Sequence, residues 1–180
     1  GEMIVKHEIL GDMENVCRGQ SPDQMRVLEI GCGVGRVTRA LAKVFKEVHA
    51  VDISGEMVAR AREFLHSVPN VHVHQNSGSD LKGLGSIGFD FAFSFIVFQH
   101  IPSLLIIESY IKEVGRVLKP GALFKLQVQG QPSARWYHRN SWLGTSIPSE
   151  STARRLADRC GFEARHFRGE GTQYFWLWLF

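Results

Sequence analysis

Short apolar runs alternate with stretches of helical period over most of the chain. Runs rich in Val, Ile and Phe are typical of buried strands, and apolar residues three or four positions apart are typical of amphipathic helices. The pattern predicts strands at residues 26–30, 48–52, 71–75, 89–95, 122–128, 164–168 and 173–180. It predicts helices at residues 36–45, 54–66, 104–118 and from Ser149 or Ser151 to Cys160. This alternation favours an α/β fold with helices on both faces of a mostly parallel, seven-stranded sheet.

The last two predicted strands are joined only by the turn Gly169-Glu170-Gly171. A connection this short permits an antiparallel hairpin but not a parallel crossover. The sequence therefore predicts one antiparallel strand near the C-terminus. Residues 174–180 are apolar on both faces, as expected of a strand in the sheet's interior.

Two stretches lie outside the alternation. Residues 1–20 are expected to be partly helical, and residues 129–148 form a long connection. The connection carries Arg135, Trp136, Tyr137, His138, Arg139 and Trp142. Long loops of this kind are often lids or binding loops. We expect one domain over residues 1–180, with the first stretch as an N-terminal cap and the second as a lid. The aromatic and basic residues would bind a substrate or cover the apolar edge of the sheet.

Composition limits the class of protein. The chain has 180 residues, 21 Lys and Arg against 18 Asp and Glu, and 44% hydrophobic residues, which is ordinary for a globular domain. No apolar run approaches the roughly 18 to 20 residues that span a bilayer, so no membrane association is expected. The odd number of cysteines, Cys17, Cys32 and Cys160, without C-x-x-C spacing argues against disulfides and zinc clusters. With no signal-peptide pattern at the start, a cytoplasmic location is expected.

The most specific segment is VLEIGCGVGR, residues 27–36, which runs from a buried strand through a glycine-rich turn into a helix. Glycine lets a ligand approach the backbone closely, and a helix start presents unpaired N–H groups. The spacing of Gly31, Gly33 and Gly35 differs from the G-x-G-x-x-G of dinucleotide binders. The alternative is a tight turn that binds nothing.

Two carboxylates accompany this turn. Glu29 lies two residues before the first glycine, where it suits a ligand with a positive amino group. Asp52 ends the next strand, twenty-one residues after Gly31, where an acidic side chain can accept both hydroxyls of a ribose. Together these features describe a ligand made of adenosine and an amino-acid-like cation.

The chain resembles the class I S-adenosylmethionine-dependent methyltransferases over residues 25–128. The resemblance rests on an ordered series of segments: residues 27–35, VDIS at 51–54, FDF at 89–91 leading to Ser94, and VLKPGA at 117–122. Gly161-Phe162 followed by two strands is also similar to the family's ending. The resemblance implies a Rossmann-like fold, S-adenosylmethionine as cofactor, and transfer of its sulfonium methyl group to an acceptor.

The resemblance also implies a set of cofactor-binding residues: Glu29, Gly31, Cys32, Gly33, Gly35, Asp52, Ile53, Met57, Asn76, Ser77, Gly78, Ser94 and Phe95. By that resemblance, the backbone of residues 31–33 faces the methionine part of the cofactor and Asp52 holds the ribose hydroxyls. Ser94 and Phe95 would close over the methionine side.

The adenine side is expected to involve Ile53 and Met57, for which simple core packing is the alternative. Many family members carry a Gly-Asp pair after the third strand, whose Asp receives the adenine amino group. This chain has Ser77 at that place. The adenine contact is therefore assigned to Asn76 or to the backbone at Gly78.

Histidines are the candidates for other chemistry. His100 follows the fourth strand, at the edge where ligands of α/β sheets collect, and is a candidate general base or substrate contact. Tyr137 and His138 are second candidates. His72 and His74 share one face of a strand, but solvated edge histidines are favoured because the motif contains no cysteine or acidic partner. No metal is expected.

The sequence thus predicts a methyltransferase for an unidentified acceptor, with a small molecule favoured because the chain has little room for a separate substrate domain. The alternatives are an NAD(P)-dependent oxidoreductase and a cofactor-binding accessory subunit without catalysis. Between residues 131 and 168 there are seven Arg and three acidic residues, a difference of +4. A solvated face explains this excess better than a nucleic-acid site. The oligomeric state stays open.

Overall fold

A single seven-stranded sheet runs through the part of the chain that the computed structural model describes, residues 1–85, 88–131 and 143–180. The strands are β1 (Arg26–Ile30), β2 (Glu47–Asp52), β3 (Val71–Gln75), β4 (Phe89–Ser94), β5 (Leu118–Val128), β6 (Ala164–Arg168) and β7 (Phe175–Leu179). Their order in the sheet is β3-β2-β1-β4-β5-β7-β6. The Rossmann-like, seven-stranded α/β architecture expected from the sequence is confirmed.

Strand direction also agrees with the sequence. Strands β1 to β5 pair in parallel, whereas β7 pairs antiparallel with both β5 and β6. All five residues of β7 are buried. The run of apolar residues at the C-terminus is therefore an interior strand, and the short turn before it makes a hairpin, as predicted.

Six α-helices are found in the described residues: α1 (Glu2–Ile4), α2 (Met13–Cys17), α3 (Arg36–Leu41), α4 (Gly55–Phe64), α5 (Leu104–Val117) and α6 (Glu150–Arg159). Between α1 and α2 lie a π-helical turn, Val5–Ile9, and a 3-10 turn, Leu10–Asp12. We call residues 1–17 the N-terminal segment. In the described parts of the chain, every helix is too short or too polar to span a membrane.

Side-chain caps fix where two helices begin. The Ser54 hydroxyl accepts the Met57 N–H at 3.3 Å, and the Ser149 hydroxyl accepts the Thr152 N–H at 3.3 Å. These hydroxyls satisfy N–H groups that lack a partner within the helix. The last helix therefore starts from Ser149 rather than from Ser151.

Helix α3 is shorter than the predicted helix over residues 36–45. It ends at Leu41, and turns continue to Phe45. The Asn70 side-chain amide donates to the carbonyls of Ala42 and Phe45, at 2.9 and 3.1 Å. Because a distant side chain satisfies these carbonyls, the chain can leave the helix without losing hydrogen bonds. Sequence periodicity cannot show such a partner.

The start of β5 differs from the predicted strand over residues 122–128. The strand begins at Leu118, directly after α5, where Leu118 pairs with Phe89 before the register shifts. The Lys119 ammonium contacts the buried Asp90 carboxylate beside this irregular pairing. A bulge of this kind allows a strand to contain the Pro120-Gly121 pair, which in the sequence is typical of a break.

The two faces of the sheet are covered by different parts of the chain. On one face, α5 and α6 bury an apolar stripe that includes Ile107, Ile111 and Leu156. On the other face, the N-terminal segment and α3 bury residues such as Ile9 and Leu41. The sheet is therefore enclosed on both sides, as the near-continuous apolar strands require.

A buried lysine joins the N-terminal segment to the sheet. Lys125 on β5 is 1% exposed, and its ammonium donates to the Asp12 carboxylate at 2.8 Å and to the Glu8 carbonyl. The Trp178 indole N–H donates to the same Asp12 oxygen at 2.6 Å. Lys125 Nζ lies 4.3 Å from the centre of the Trp178 ring. Through this cluster, the N-terminal segment is attached to strands β5 and β7.

Candidate functional site

The candidate site lies at the carboxyl ends of β1, β2 and β4, where the strand order reverses and ligands of open α/β sheets bind. Two adjoining cavities, of about 560 and 340 Å³, share Gly31, Gly33 and Ile96 as walls. The larger cavity is also lined by Asp52, Ile53, Gly78, Val97, His100 and Tyr110. The smaller cavity is also lined by Gly1, Ile4, Glu29, Cys32, Arg36 and Phe95.

The glycine loop separates the two cavities. Gly31 has φ +77°, and a Cβ there would lie 2.0 Å from Val97 Cγ2, so only glycine fits. At Gly33 a Cβ would meet no heavy atom within 4 Å, which means that this backbone faces open space. The N–H groups of Gly31 and Cys32 both donate to the Val51 carbonyl, at 2.8 and 3.0 Å. The loop is therefore rigid and open to a ligand. Gly35 serves as the N-cap of α3, with φ +86°.

Asp52 is held by the same loop. Its Oδ2 accepts the Gly33 N–H at 2.8 Å, and its Oδ1 accepts the Ser54 N–H at 2.9 Å. Each carboxylate oxygen has a further lone pair, so the side chain can still accept donors from a ligand. The half-buried carboxylate is thus oriented before any ligand arrives.

Glu29 is the buried acidic group of the smaller cavity. Its side chain is 4% exposed, and its Oε2 accepts the Thr38 hydroxyl at 2.5 Å. The pKa of Glu29 is raised to about 7, mainly because the carboxyl is buried; the Thr38 hydrogen bond opposes this shift and the charge of Asp52 adds to it. A cation bound beside this carboxyl would favour its ionised form. Thr38, which is fully buried on α3, has no distinguishing signal in the sequence.

On the other side of the loop, Ile53 offers an apolar surface. It is 59% exposed and lies against Gly78, whose added Cβ would be 3.6 Å from Ile53 Cδ1. An exposed isoleucine inside a cleft is a typical contact for a flat, apolar ligand group. Met57 is half-buried in the first turn of α4 and is not among the residues that line the larger cavity.

Asn76 and Ser77 differ in what they can offer a ligand. The Ser77 hydroxyl accepts the N–H groups of Ser79 and Asp80, at 3.3 and 3.2 Å, and so belongs to a turn. The Asn76 amide donates to the Tyr110 hydroxyl at 2.7 Å, and Tyr110 lines the larger cavity. Asn76 Oδ1 is buried and has no hydrogen-bond partner within the described residues. Of the two residues, Asn76 has the acceptor that lacks a donor.

Ser94 and Phe95 are placed differently although they are adjacent. The Ser94 hydroxyl is fully buried and donates to the Ile30 carbonyl at 3.0 Å, between β1 and β4. Phe95 lines the smaller cavity and stacks on Trp176, with ring centres 5.5 Å apart. The structure therefore brings the Phe95 ring to the site, whereas the Ser94 side chain points into the sheet.

His100 lies in the wall of the larger cavity, at the end of the 3-10 helix Phe98–His100. Its Nε2 is 3.1 Å from the Gln99 amide nitrogen, and Gln99 Oε1 accepts the buried Gln127 amide at 2.9 Å. Gln127 Oε1 accepts the Ile96 N–H at 3.0 Å. Ile96 has φ +57°, a strained conformation for a β-branched residue. Sequence patterns indicate neither this strain nor the role of Gln127.

We expect Gln127→Ala to lower the free energy of unfolding by on the order of 2–3 kcal/mol, because the buried Gln99 side-chain oxygen and the half-buried Gln173 carbonyl lose a partner. The strained loop at Ile96 should also become more mobile and weaken ligand binding. Urea unfolding measures the first effect, with the exposed Gln24→Ala as the matched control. A variant as stable as the control would contradict this role for Gln127.

Part of the predicted lid falls outside the described residues. Tyr137, His138 and the other aromatic and basic residues named above lie in residues 132–142. Beyond them the chain returns to the cavity wall, where the N–H groups of Gly144 and Thr145 donate to the carbonyls of Gln99 and Ile101, at 2.7 and 2.8 Å.

The arginine-rich C-terminal region forms ion pairs where the structure describes it. Four arginines of this region pair with carboxylates from within it or from elsewhere in the chain. The pairs are Arg154 with Glu150, Arg159 with Glu108, Arg165 with Glu163 and Arg168 with Glu8. These half-exposed pairs agree with a solvated face, the interpretation that the sequence favours.

The histidines of β3 have an acidic neighbour that the sequence did not indicate. Glu47 and His49 of β2 lie beside His72 and His74. The motif itself contains no acidic partner, but the fold supplies Glu47 from the adjacent strand. Local spacing could not show the partner, because it comes from the adjacent strand.

Known proteins of similar sequence are methyltransferases. A family described as "Methyltransferase domain" matches residues 28–126. The chain is 31% identical over 108 residues to a protein-L-isoaspartate O-methyltransferase of Nitrosomonas europaea, covering 59% of this chain and 49% of that protein. It is 34% identical over 113 residues to a ubiquinone biosynthesis O-methyltransferase of Xanthomonas campestris, covering 61% and 45%. The chain thus spans about half the length of these curated relatives.

Solved structures show the same fold. An S-adenosylmethionine-bound amino pentose methyltransferase, CalS10 from Micromonospora echinaspora, superposes with a TM-score of 0.76 at 18% identity, covering 96% of this chain and 90% of that chain. A SAM-dependent methyltransferase from Aquifex aeolicus gives 0.69 at 20% identity, covering 99% and 97%. With the family match over most of the sheet, these findings show that the chain belongs to the class I S-adenosylmethionine-dependent methyltransferase family.

Proposed function

We propose that the protein transfers a methyl group from S-adenosylmethionine to a small-molecule acceptor. The observation that carries this proposal is the Asp52 carboxylate, which Gly33 and Ser54 orient at the wall of an open cleft. An acidic group fixed beside a glycine loop suits a ribose diol. The family match favours this function over the NAD(P)-dependent oxidoreductase that the sequence left as an alternative.

The residues present fit the three parts of this cofactor. Asp52 would accept the ribose hydroxyls with its remaining lone pairs. Glu29, buried beside the smaller cavity, would attract the α-ammonium group of the methionine part. Ile53 would pack on the adenine ring. Asn76 Oδ1, which has no donor within the described residues, supports a contact with the adenine amino group. The open space at Gly33 leaves room for the ligand against the backbone.

The cofactor, when bound, supplies an activated methyl group on a positively charged sulfur. The chain's own residues would then hold donor and acceptor at close range and exclude water, and such positioning accounts for much of the rate in transfers of this kind. Phe95 and Ile4, which line the smaller cavity, supply apolar surface for this purpose. For an acceptor with a high pKa, His100 is the proposed general base, since it lies in the wall of the cleft.

We propose that the chain acts as one domain, in which the N-terminal residues 1–20 cap the acceptor side and residues 129–148 close over it. Gly1 and Ile4 line the smaller cavity, which supports the cap. The three cysteines are buried and unpaired, which supports a reducing, cytoplasmic compartment. The paired arginines of the C-terminal region support a small molecule rather than nucleic acid as partner.

An acceptor screen tests the proposed reaction. The purified protein is incubated with S-adenosylmethionine and single acceptors (phenols, amino sugars, amines and carboxylates), and S-adenosylhomocysteine is quantified. With at least one acceptor class, we expect one molecule of methylated product for each S-adenosylhomocysteine formed. Tight cofactor binding without turnover on any acceptor would instead support a non-catalytic accessory subunit.

A further inference from the structure

Four polar side chains form a cluster on one face of the neighbouring strands β2 and β3. Glu47 and His49 lie near the amino end of β2, and His72 and His74 lie on the edge strand β3. The register pairs His49 with His72 and Val51 with His74. Because side chains two residues apart share a face, all four project from the same face. At about 3.3 Å per residue, His49 lies roughly 10 Å along β2 from the carboxylate that ends this strand.

Three ligand atoms converge in this cluster. Glu47 Oε1 lies 2.7 Å from His49 Nε2 and 3.4 Å from His72 Nε2, and all three atoms lie within 4.8 Å of one another. Metal–ligand distances of about 2.0–2.2 Å in a tetrahedral site place neighbouring N and O ligands roughly 3.3–3.6 Å apart. Small side-chain rotations would therefore bring the three atoms to coordination distance.

A fourth residue supplies the support that metal-binding histidines usually have. His49 Nδ1 lies 3.1 Å from His74 Nε2, so the two rings can share a hydrogen bond that fixes the tautomer and orientation of His49. The rings of His49 and His74 also stack, with centres 5.2 Å apart. Phe89 contacts His49 edge-on from the sheet, with ring centres 5.2 Å apart. His49 Nε2 is thus held toward Glu47.

Access and charge are compatible with a bound cation. The His72 side chain is 48% exposed, which gives an ion a path from solvent. The Arg26 guanidinium pairs with the other oxygen of Glu47, Oε2, at 3.2 Å and leaves Oε1 to the histidines.

We propose that Glu47, His49 and His72 bind one Zn²⁺ ion, with water in the fourth position and His74 as the supporting residue. Two imidazoles and one carboxylate are suited to zinc and neighbouring late transition metals, whereas Mg²⁺ and Ca²⁺ prefer oxygen ligands alone. The ion would join the edge strand β3 to β2 and stabilise that edge of the sheet. The site is independent of methyl transfer.

Zinc binding by the intact chain tests the proposal. Protein without a polyhistidine tag is stripped with a chelator, and zinc affinity is measured by competition with a chromophoric chelator. We expect one zinc per chain, no binding of Mg²⁺ or Ca²⁺, and at least a tenfold weaker affinity in His72→Ala. Because His72 is exposed, this variant should fold. The matched control is His66→Ala, an exposed histidine on another part of the surface, which should bind zinc as the wild type does.

Cobalt spectra provide a second readout. Co²⁺ bound to the wild type should give the visible absorption of a four-coordinate site, and Glu47→Gln should reduce these bands without unfolding the protein. Binding of well under one zinc ion per chain would overturn the proposal. So would an affinity that His72→Ala and His66→Ala change equally, since that result indicates adventitious binding to surface histidines.

Discussion

Glu29→Gln is expected to stabilise the ligand-free protein at pH 8 by on the order of 3 kcal/mol. Burial raises the pKa of this carboxyl from 4.5 to about 7, so ionising it costs more in the folded state than in the unfolded state. Glutamine carries no charge and keeps an oxygen that can accept the Thr38 hydroxyl. The substitution therefore removes the cost and keeps the hydrogen bond.

The pH dependence gives this prediction its sign. Below pH 4.5 the carboxyl is protonated in both states, and the cost is absent. Between pH 4.5 and about 7 only the unfolded state ionises, so the cost grows, and above about pH 7 it is complete. Urea unfolding at pH 5, 6, 7 and 8 should show the advantage of Glu29→Gln growing with pH. The exposed Glu63→Gln is the control and should show no such trend. An advantage that stays constant with pH would contradict the account.

The same substitution should weaken the binding of S-adenosylhomocysteine at pH 8 by tenfold or more, because the ammonium group loses its buried carboxylate partner. In the wild type, affinity should fall as the pH drops below about 7, where Glu29 takes up a proton. Isothermal titration calorimetry at the four pH values measures both effects. Greater stability together with weaker binding would identify Glu29 as a residue kept for the ligand rather than for the fold.

Lys125→Met is expected to destabilise the protein by on the order of 3–5 kcal/mol, because removing one partner leaves a buried charge without compensation. The Lys125 ammonium is the cation beside Asp12, and the uncharged N–H donors of Asn15 and Trp178 that remain cannot neutralise that carboxylate. The N-terminal segment should detach from the sheet more often. Urea unfolding and the rate of proteolysis within residues 1–17 measure the two effects.

A surface ion pair of the same segment serves as the control. Lys43 pairs with Glu2, but both side chains are largely exposed, at 62% and 78%. Exposed pairs contribute about 0–1 kcal/mol, so Lys43→Met should change stability and proteolysis little. Equal effects of the two lysine substitutions would show that burial of the cluster does not matter, contrary to this account.

Local sequence patterns were sufficient for the sheet and most helices. Apolar runs determine strands because a buried parallel strand must be apolar on both faces, and the glycine loop requires Gly31 because a side chain would clash with Val97. Early ends such as that of α3 were not predictable, since Asn70 supplies the decisive hydrogen bonds from a distant loop.

Local motifs single out only some of the residues that the structure places in the cleft. Of the residues that the motifs single out, Glu29, Asp52 and Phe95 line the cavities, whereas the Ser94 side chain faces the sheet. Thr38 and Gln127 act through contacts between elements far apart in the chain. Pairings of this kind depend on tertiary structure, and one sequence gives no signal for them.

Binding of this cofactor in the cleft is proposed to depend on Asp52, and thermal melts of the wild type and Asp52→Ala measure that dependence. S-adenosylhomocysteine, S-adenosylmethionine and NADH are each added to the wild type and to Asp52→Ala, and each shift is compared with the same protein without ligand. At about 100 times its dissociation constant a ligand stabilises by roughly 2.7 kcal/mol. At about 2–4 °C per kcal/mol for a chain of this size, the shift should be roughly 5–10 °C. We expect that shift with the two sulfur compounds only, and its loss in Asp52→Ala. A shift with NADH instead, or one that Asp52→Ala leaves unchanged, would contradict the account.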